Sequence, residues 1–237
     1  MSLKRFHHFV FTVLIILSAS SCSDPVVNPP GDPPYVSLQT GDERQFVLTT
    51  DSSTLLYRIT GTTKRSDSTL VFRSEWVYGT DTAINVSYYF IRDGYFIATD
   101  LDTTEQGHSA VPGNPFREQK LAKLYPANGD RWKSIDGDTS SIYFTASFTD
   151  STQTFAGRFS NCVCYSAGDI LKIFYAKGVG HIASHFNQGE GKYLASYIKT
   201  GGKVFGSKFP AKSPAGSEPL FTPSKRKLAE SLLLGAM

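Results

Sequence analysis

The chain predicts an all-β fold, a curved antiparallel sheet arranged as a half-barrel or a sandwich. Three observations predict it. Short runs rich in Tyr, Phe, Val and Thr follow one another from Gln45 to about Asn187. Several of them alternate apolar and polar residues with period two, the signature of a half-buried strand. The breaks between them are turn sequences built on Gly, Asp and Asn. At 237 residues and 40% hydrophobic composition, the chain is long and apolar enough to bury a substantial core.

Taken in order, Leu70, Phe72, Ser74, Trp76 and Tyr78 share one strand face, opposite Val71, Arg73, Glu75 and Val77. Val86–Arg92, Asp93-Gly94 and Tyr95–Ala98 read as a hairpin, because Asp-Gly suits the positive φ angles of a type I′ turn. The string from Phe116 to Tyr125, Arg-Glu-Gln-Lys-Leu-Ala-Lys-Leu at its centre, predicts one or two helical turns before Pro126. Ile142, Phe144, Ala146 and Phe148 alternate with Tyr143, Thr145, Ser147 and Thr149 as a further strand. Ser166-Ala-Gly-Asp169 separates a strand ending at Tyr165 from Ile170–Ala176, and Gly178-Val-Gly180 precedes another, His181–Phe186. The β domain is assigned to residues 36–198, open to division into related sheet units over 36–110 and 116–198, although no sequence repeat marks them.

The flanks differ in kind. Residues 1–21 read as an export signal: Lys4 and Arg5, the apolar run Phe9–Leu17, then Ser18-Ala-Ser-Ser21. The run is too short to span a bilayer, which takes about 20 apolar residues. Cys22 follows directly. Residues 22–35 carry five of the twelve prolines and read as an extended tether. Residues 199–237 turn abruptly to Gly, Ser, Lys and Pro and read as a basic low-complexity tail, with a short amphipathic helix predicted over Lys225–Leu234. Both termini are therefore expected to be disordered.

The net charge of +3 divides into +2 at Lys4 and Arg5, +5 over residues 199–237, and hence −4 between them. A body of that sign without a Lys/Arg stripe lacks the footprint that phosphate backbones require, so nucleic acid is excluded as a partner.

A cysteine directly after small residues resembles the lipobox of bacterial lipoproteins. That resemblance implies cleavage before Cys22, a diacylglycerol on its sulfur and an acyl chain such as palmitate on its amine; Ala19 stands where the pattern prefers Leu. Cleavage after Ser20 or Ser21 by the ordinary signal peptidase is the alternative. Ser23 resembles the second residue of proteins sorted to the outer membrane, on a face that the residues do not specify. Tyr125-Pro126, Gly129 and Trp132, then Phe155-Ala-Gly-Arg-Phe-Ser-Asn-Cys162, then Phe174-Tyr-Ala-Lys-Gly-Val-Gly180 resemble a β module of uncharacterised bacterial envelope lipoproteins. The resemblance spans about residues 120–190. The residues themselves read as structural, Gly157, Gly178 and Gly180 as turns or bulges and Phe159, Phe174 and Tyr175 as sheet packing, and the resemblance transfers no catalytic residue. His181 and Cys164 depart from the pattern.

Candidate chemistry is sparse. His181 and His185, with Glu190 beyond, have the i, i+4 spacing of zinc ligands on a helix, but Ile182 stands where His-Glu-x-x-His has its glutamate. On a strand the two would share a face about 13 Å apart, too far for one ion; they are weak metal candidates. Cys162 and Cys164 read as small buried residues, since a disulfide between positions two apart on a strand would be strained. Asp136-Gly-Asp138 reads as a turn, and Asp67-Ser-Thr, Asp81-Thr-Ala, Asp102-Thr-Thr and Asp150-Ser-Thr read as Asx turns in preference to glycosylation acceptors. There is no Gly-x-Ser-x-Gly elbow and no phosphate-cradling loop. The expectation is a non-enzymatic, lipid-anchored envelope protein without a cofactor, its curved sheet binding an apolar ligand or an envelope protein. A periplasmic or surface hydrolase and a structural or adhesive surface module are the rivals.

Overall fold

A computed structural model describes residues 31–82, 84–102, 115–138, 141–186 and 191–213. The chain divides at Asp32/Pro33, and the unit beginning at Pro33 holds every described strand. The signal segment, Cys22, Glu190 and the predicted helix Lys225–Leu234 lie outside the described residues.

The sheet is an antiparallel meander of twelve strands: β1 (Glu43–Leu48), β2 (Thr54–Lys64), β3 (Leu70–Tyr78), β4 (Asn85–Arg92), β5 (Tyr95–Thr99), β6 (Glu118–Lys123), β7 (Arg131–Lys133), β8 (Tyr143–Thr154), β9 (Gly157–Ala167), β10 (Leu171–Ala176), β11 (Gly180–Phe186) and β12 (Lys192–Thr200). Strand β12 pairs back onto β1, from Glu43 opposite Lys199 to Leu48 opposite Tyr193, which closes the meander except for one break between β6 and β7. A thirteenth strand, β13 (Lys203–Gly206), pairs with the far end of β12. There is no helix among the described residues. The all-β, half-barrel expectation holds.

The β6/β7 break is bridged. Lys120 N–H donates to Ser134 O at 2.7 Å, Trp132 Nε1–H donates to Lys120 O at 3.2 Å, and Tyr165 OH donates to Lys123 O at 2.5 Å. Ion pairs Lys120–Asp136 (2.6 Å) and Lys123–Asp130 (2.9 Å) add to it. Unpaired sheet edges are thereby covered. The Tyr-Pro, Gly and Trp positions of the sequence motif form this seam: Trp132 stacks on Phe144 at 5.7 Å and meets Tyr165 edge-on at 5.4 Å.

An eight-stranded barrel is filled by ordinary side chains, so twelve strands call for bulkier ones. The interior meets this with Phe46, Tyr57, Trp76, Tyr89, Phe96, Trp132, Phe144, Tyr165 and Tyr175, all buried. The segment after Asp32 adds to the filling. Tyr35 and Val36 are buried, Tyr35 N–H donates to Leu124 O (3.0 Å), and Gly178 N–H donates to Pro34 O (2.9 Å). Residues 33–35, read from sequence as part of the tether, thus belong to the β body.

Two further expectations are corrected. The predicted helical turns at 116–125 are strand β6, paired along β5 from Thr99 opposite Glu118 to Tyr95 opposite Lys123. Tertiary pairing overrides the helix propensity of Glu, Gln, Lys and Ala there. The tail assigned from residue 199 is folded as far as Ser213. Lys199 and Thr200 complete β12, and Ser207–Ser213 crosses the outside of the sheet. Along this strap Phe209 N–H donates to Gln45 Oε1 (2.6 Å), Gln45 Nε2 donates back to Phe209 O (2.9 Å), and Thr54 N–H donates to Lys212 O (2.9 Å). The Asp93-Gly94 hairpin is as expected, with φ of 52° and 73°. Gly157, Gly178 and Gly180 all take positive φ, consistent with the turn role read for them.

Candidate functional site

The site grows from one polar residue on an apolar face. Along β1, Arg44, Phe46 and Leu48 share the inward face, so the guanidinium of Arg44 is carried into the aromatic interior, where the residue is 4% exposed. Its Nη2 donates to Val179 O at 3.0 Å, and that is its one hydrogen bond among the described residues. The approach depends on Gly180. A Cβ at that position would sit 2.6 Å from Arg44 Nη2, and the backbone there has φ +98°. The Tyr-Ala-x-Gly-Val-Gly turn therefore makes room for a buried cation and supplies the carbonyl that receives it.

Around Arg44 lies a cavity of about 40 Å³, partly open to solvent and lined by Tyr57, Trp76, Tyr89, Phe96, Tyr175 and His181, with Val36–Leu38 at its margin. Burial pushes the phenols of Tyr57 and Tyr175 far above the ordinary tyrosine range and Tyr89 up to about 12, so all three hydroxyls stay protonated hydrogen-bond donors. Tyr57 also underlies Arg44, 5.8 Å from its ring centroid. Asp42 is the acid nearest to Arg44, at 3.9 Å. Burial raises its pKa, against the lowering effect of Arg44, of the Thr200 side chain and of the Gly201 and Gln39 backbone.

His181 belongs to this cavity and His185 does not. A register shift between Phe174 and Tyr175 of β10 breaks the alternation along β11. His181 consequently packs at a tilt against Phe46 (4.6 Å) and Tyr175 (5.4 Å), whereas His185 packs at a tilt against Phe174 (4.6 Å) on the other side of β10. The expectation that the two imidazoles share a face is corrected: the bulge puts them on opposite faces. Burial, reinforced by Arg44, pushes His181 down to about 3; burial, with Lys192 and Lys172, pushes His185 down to about 4. No group of three His, Cys, Asp or Glu is placed to hold a metal ion among the described residues.

His181 Nε2 lies 2.8 Å from Ser184 Oγ and 3.1 Å from Ala183 O. A serine beside an imidazole is the start of a nucleophile–base pair, yet a general base works best with a pKa near the operating pH, and Ser184 is 1% exposed. The pair ties β11 together.

The remaining candidates are structural. Cys162 and Cys164 are buried free thiols whose pKa values burial raises. Asp136 pairs with Lys120 beside a turn at Gly137, and Asp67 accepts the Thr69 N–H (3.0 Å) as an Asx turn does. Sequence reading missed Arg44. Its period-two spacing from Phe46 and Leu48 was the available signal, because a charged residue in phase with an apolar face is either a register error or a built site.

No family model matches the chain, and no curated protein matches it in sequence. Among solved structures it is similar to a "putative lipoprotein" from Parabacteroides distasonis, with 12% identity, 69% of this chain and 95% of that chain covered, and a TM-score of 0.36.

Proposed function

We propose that the chain is a lipid-anchored, non-catalytic protein of the bacterial cell envelope, with an outer-membrane address, whose β body acts by binding. The observation that carries this reading is the order of parts: an export signal, Cys22 directly after small residues, a Pro-rich segment, and a folded body that begins at Pro33. Because Pro33–Tyr35 belong to the body, the tether is residues 22–32. At ~3.1 Å per residue such a segment reaches about 34 Å from its anchor. One acyl chain holds a protein only marginally, whereas a diacylglycerol with an N-acyl chain makes attachment effectively permanent.

The interior narrows what is bound. A cavity of about 40 Å³ is far smaller than the roughly 300 Å³ or more that a drug-sized apolar ligand fills. This favours an envelope protein on the outside of the sheet over a greasy ligand inside it, and among the described residues it leaves the hydrolase reading with the His181–Ser184 pair.

Detergent-phase partitioning combined with intact mass tests the anchor. The wild-type chain is expected in the detergent phase, with the mass of a processed, acylated Cys22, and Cys22→Ser is expected to lose both. Unchanged partitioning and mass in the variant would remove the proposal.

A further inference from the structure

We propose that the cavity around Arg44 is a binding site for a carboxylate group, contacted by the Arg44 guanidinium and by the Tyr57 and Tyr175 hydroxyls. This stands apart from the membrane address and holds whether or not Cys22 is acylated.

A guanidinium presents five N–H groups, and buried polar groups are normally paired. Among the described residues Arg44 makes one hydrogen bond, to Val179 O, and its Nε is buried without a hydrogen-bond partner. Asp42 does not supply what is lacking. Its Oδ2 forms a buried ion pair with Nη2 at 3.9 Å, which balances charge but lies beyond hydrogen-bond distance, and it has no hydrogen-bond partner among the described residues. Its other interactions are with Gln39, Thr200 and Gly201.

Arg44, Tyr57 and Tyr175 line one cavity with donors: the guanidinium donates only, and each neutral phenol has one O–H to give. Trp76 and His181 line it too, and His181 Nε2 is turned to Ser184 and Ala183. A pocket of donors around a cation selects an anion, and a planar guanidinium fits a planar carboxylate best. The cavity's size limits the anion. About 40 Å³ is room for about three water-sized groups, the heavy-atom count of formate or of the head of a longer acid, and too little for a sugar or a nucleotide. Gly180 leaves the space that this arrangement uses, since a Cβ there would sit 2.6 Å from Arg44 Nη2.

The test is carried out on the full chain with ¹³C-formate, acetate and hexanoate as probes. Formate is expected to show saturable line broadening with wild type, at least tenfold weaker with Arg44→Met, and unchanged with Arg58→Met, a surface arginine of equal charge. Tyr57→Phe, which keeps the ring, is expected to weaken binding several-fold, and it serves in place of Arg44→Met should that variant not fold. Hexanoate binding as tightly as acetate would assign the carboxylate to the end of a longer molecule, and exclusion of hexanoate would assign it to a free small acid; both outcomes support the site. Absence of saturable broadening with wild type, or equal broadening with Arg44→Met, would overturn it.

Discussion

His181 shows how one backbone irregularity sets the chemistry of a side chain. The bulge in β11 turns its ring between Phe46 and Tyr175, and burial there, reinforced by Arg44, holds its pKa near 3. The sign of the linked stability follows. In the unfolded chain a histidine takes up a proton below about pH 6.5, whereas folded His181 refuses it until about 3. The unfolded state therefore binds more protons across that window, so the contribution to stability is fully present above pH 6.5 and is lost as the solution is acidified. His185, lowered to about 4, acts in the same sense, and Asp42, with its raised pKa, acts against both. The variant His181→Phe keeps an aromatic ring against Phe46 and removes one titration. Calorimetry at pH 7 and pH 4.5 is expected to show a smaller fall in Tm for the variant than for wild type. An equal fall would mean that His181 is protonated in the folded protein.

At the scale of elements, a second buried arginine binds one hairpin to its neighbours. Arg65 follows β2, and its side chain is 3% exposed. It donates to both carboxylate oxygens of Asp67 (3.0 and 2.6 Å), to Glu118 Oε1 (2.8 Å) and to Thr99 Oγ1 (2.9 Å), and it lies 3.8 Å over the Phe116 ring. Glu118 also pairs with Arg92. These bonds join the β2–β3 turn to β5 and β6 over a small outer cluster of Val71, Phe90 and Ile97. Removing one member of a buried charge network strands its partners, so Arg65→Ala is expected to cost about 3–5 kcal/mol in urea unfolding. Arg65→Lys should recover little of it, because an ammonium cannot bond Asp67 in bidentate fashion while reaching Glu118 and Thr99; full recovery would show that charge alone matters. Local signals explain which elements were legible in the sequence. Asp93-Gly94 and Ser166–Asp169 dictate their turns through backbone preference, and Phe144 and Ala146 alternate as an inward face does. Strand β6 was illegible because its composition favours helix and only its partner β5 makes it a strand. The Ser207–Ser213 strap was illegible for a related reason: beyond Ser207, which bonds Ser196 O, its Phe209, Lys212 and Ser213 bond Gln45, Thr54 and Thr80, more than 130 residues away, and no local pattern records them.

The described body from Pro33 onward is one meander closed in two unequal ways. Strand β1 meets β12 along a ladder of six register pairs, interrupted by one register shift between Gln45 and Phe46, between residues about 150 apart in sequence. The β6/β7 seam joins neighbours in sequence, yet it rests on one backbone hydrogen bond, side-chain bridges and the packing of Trp132. Local opening follows the weakest set of backbone bonds, so it should begin at the seam. The long-range ladder is also the costly step in folding, because a large loop must close before its contacts form. In hydrogen exchange, peptides covering Glu118–Lys133 are therefore expected to exchange faster than those covering Glu43–Leu48 and Tyr193–Lys199. Trp132→Ala removes the ring that spans Tyr95, Phe144 and Tyr165, a truncation that costs about 3–5 kcal/mol at a buried tryptophan. It should speed exchange at the seam more than at the β1/β12 ladder. Equal acceleration at both places would mean that the barrel opens only as a whole, with the seam as firm a closure as the ladder.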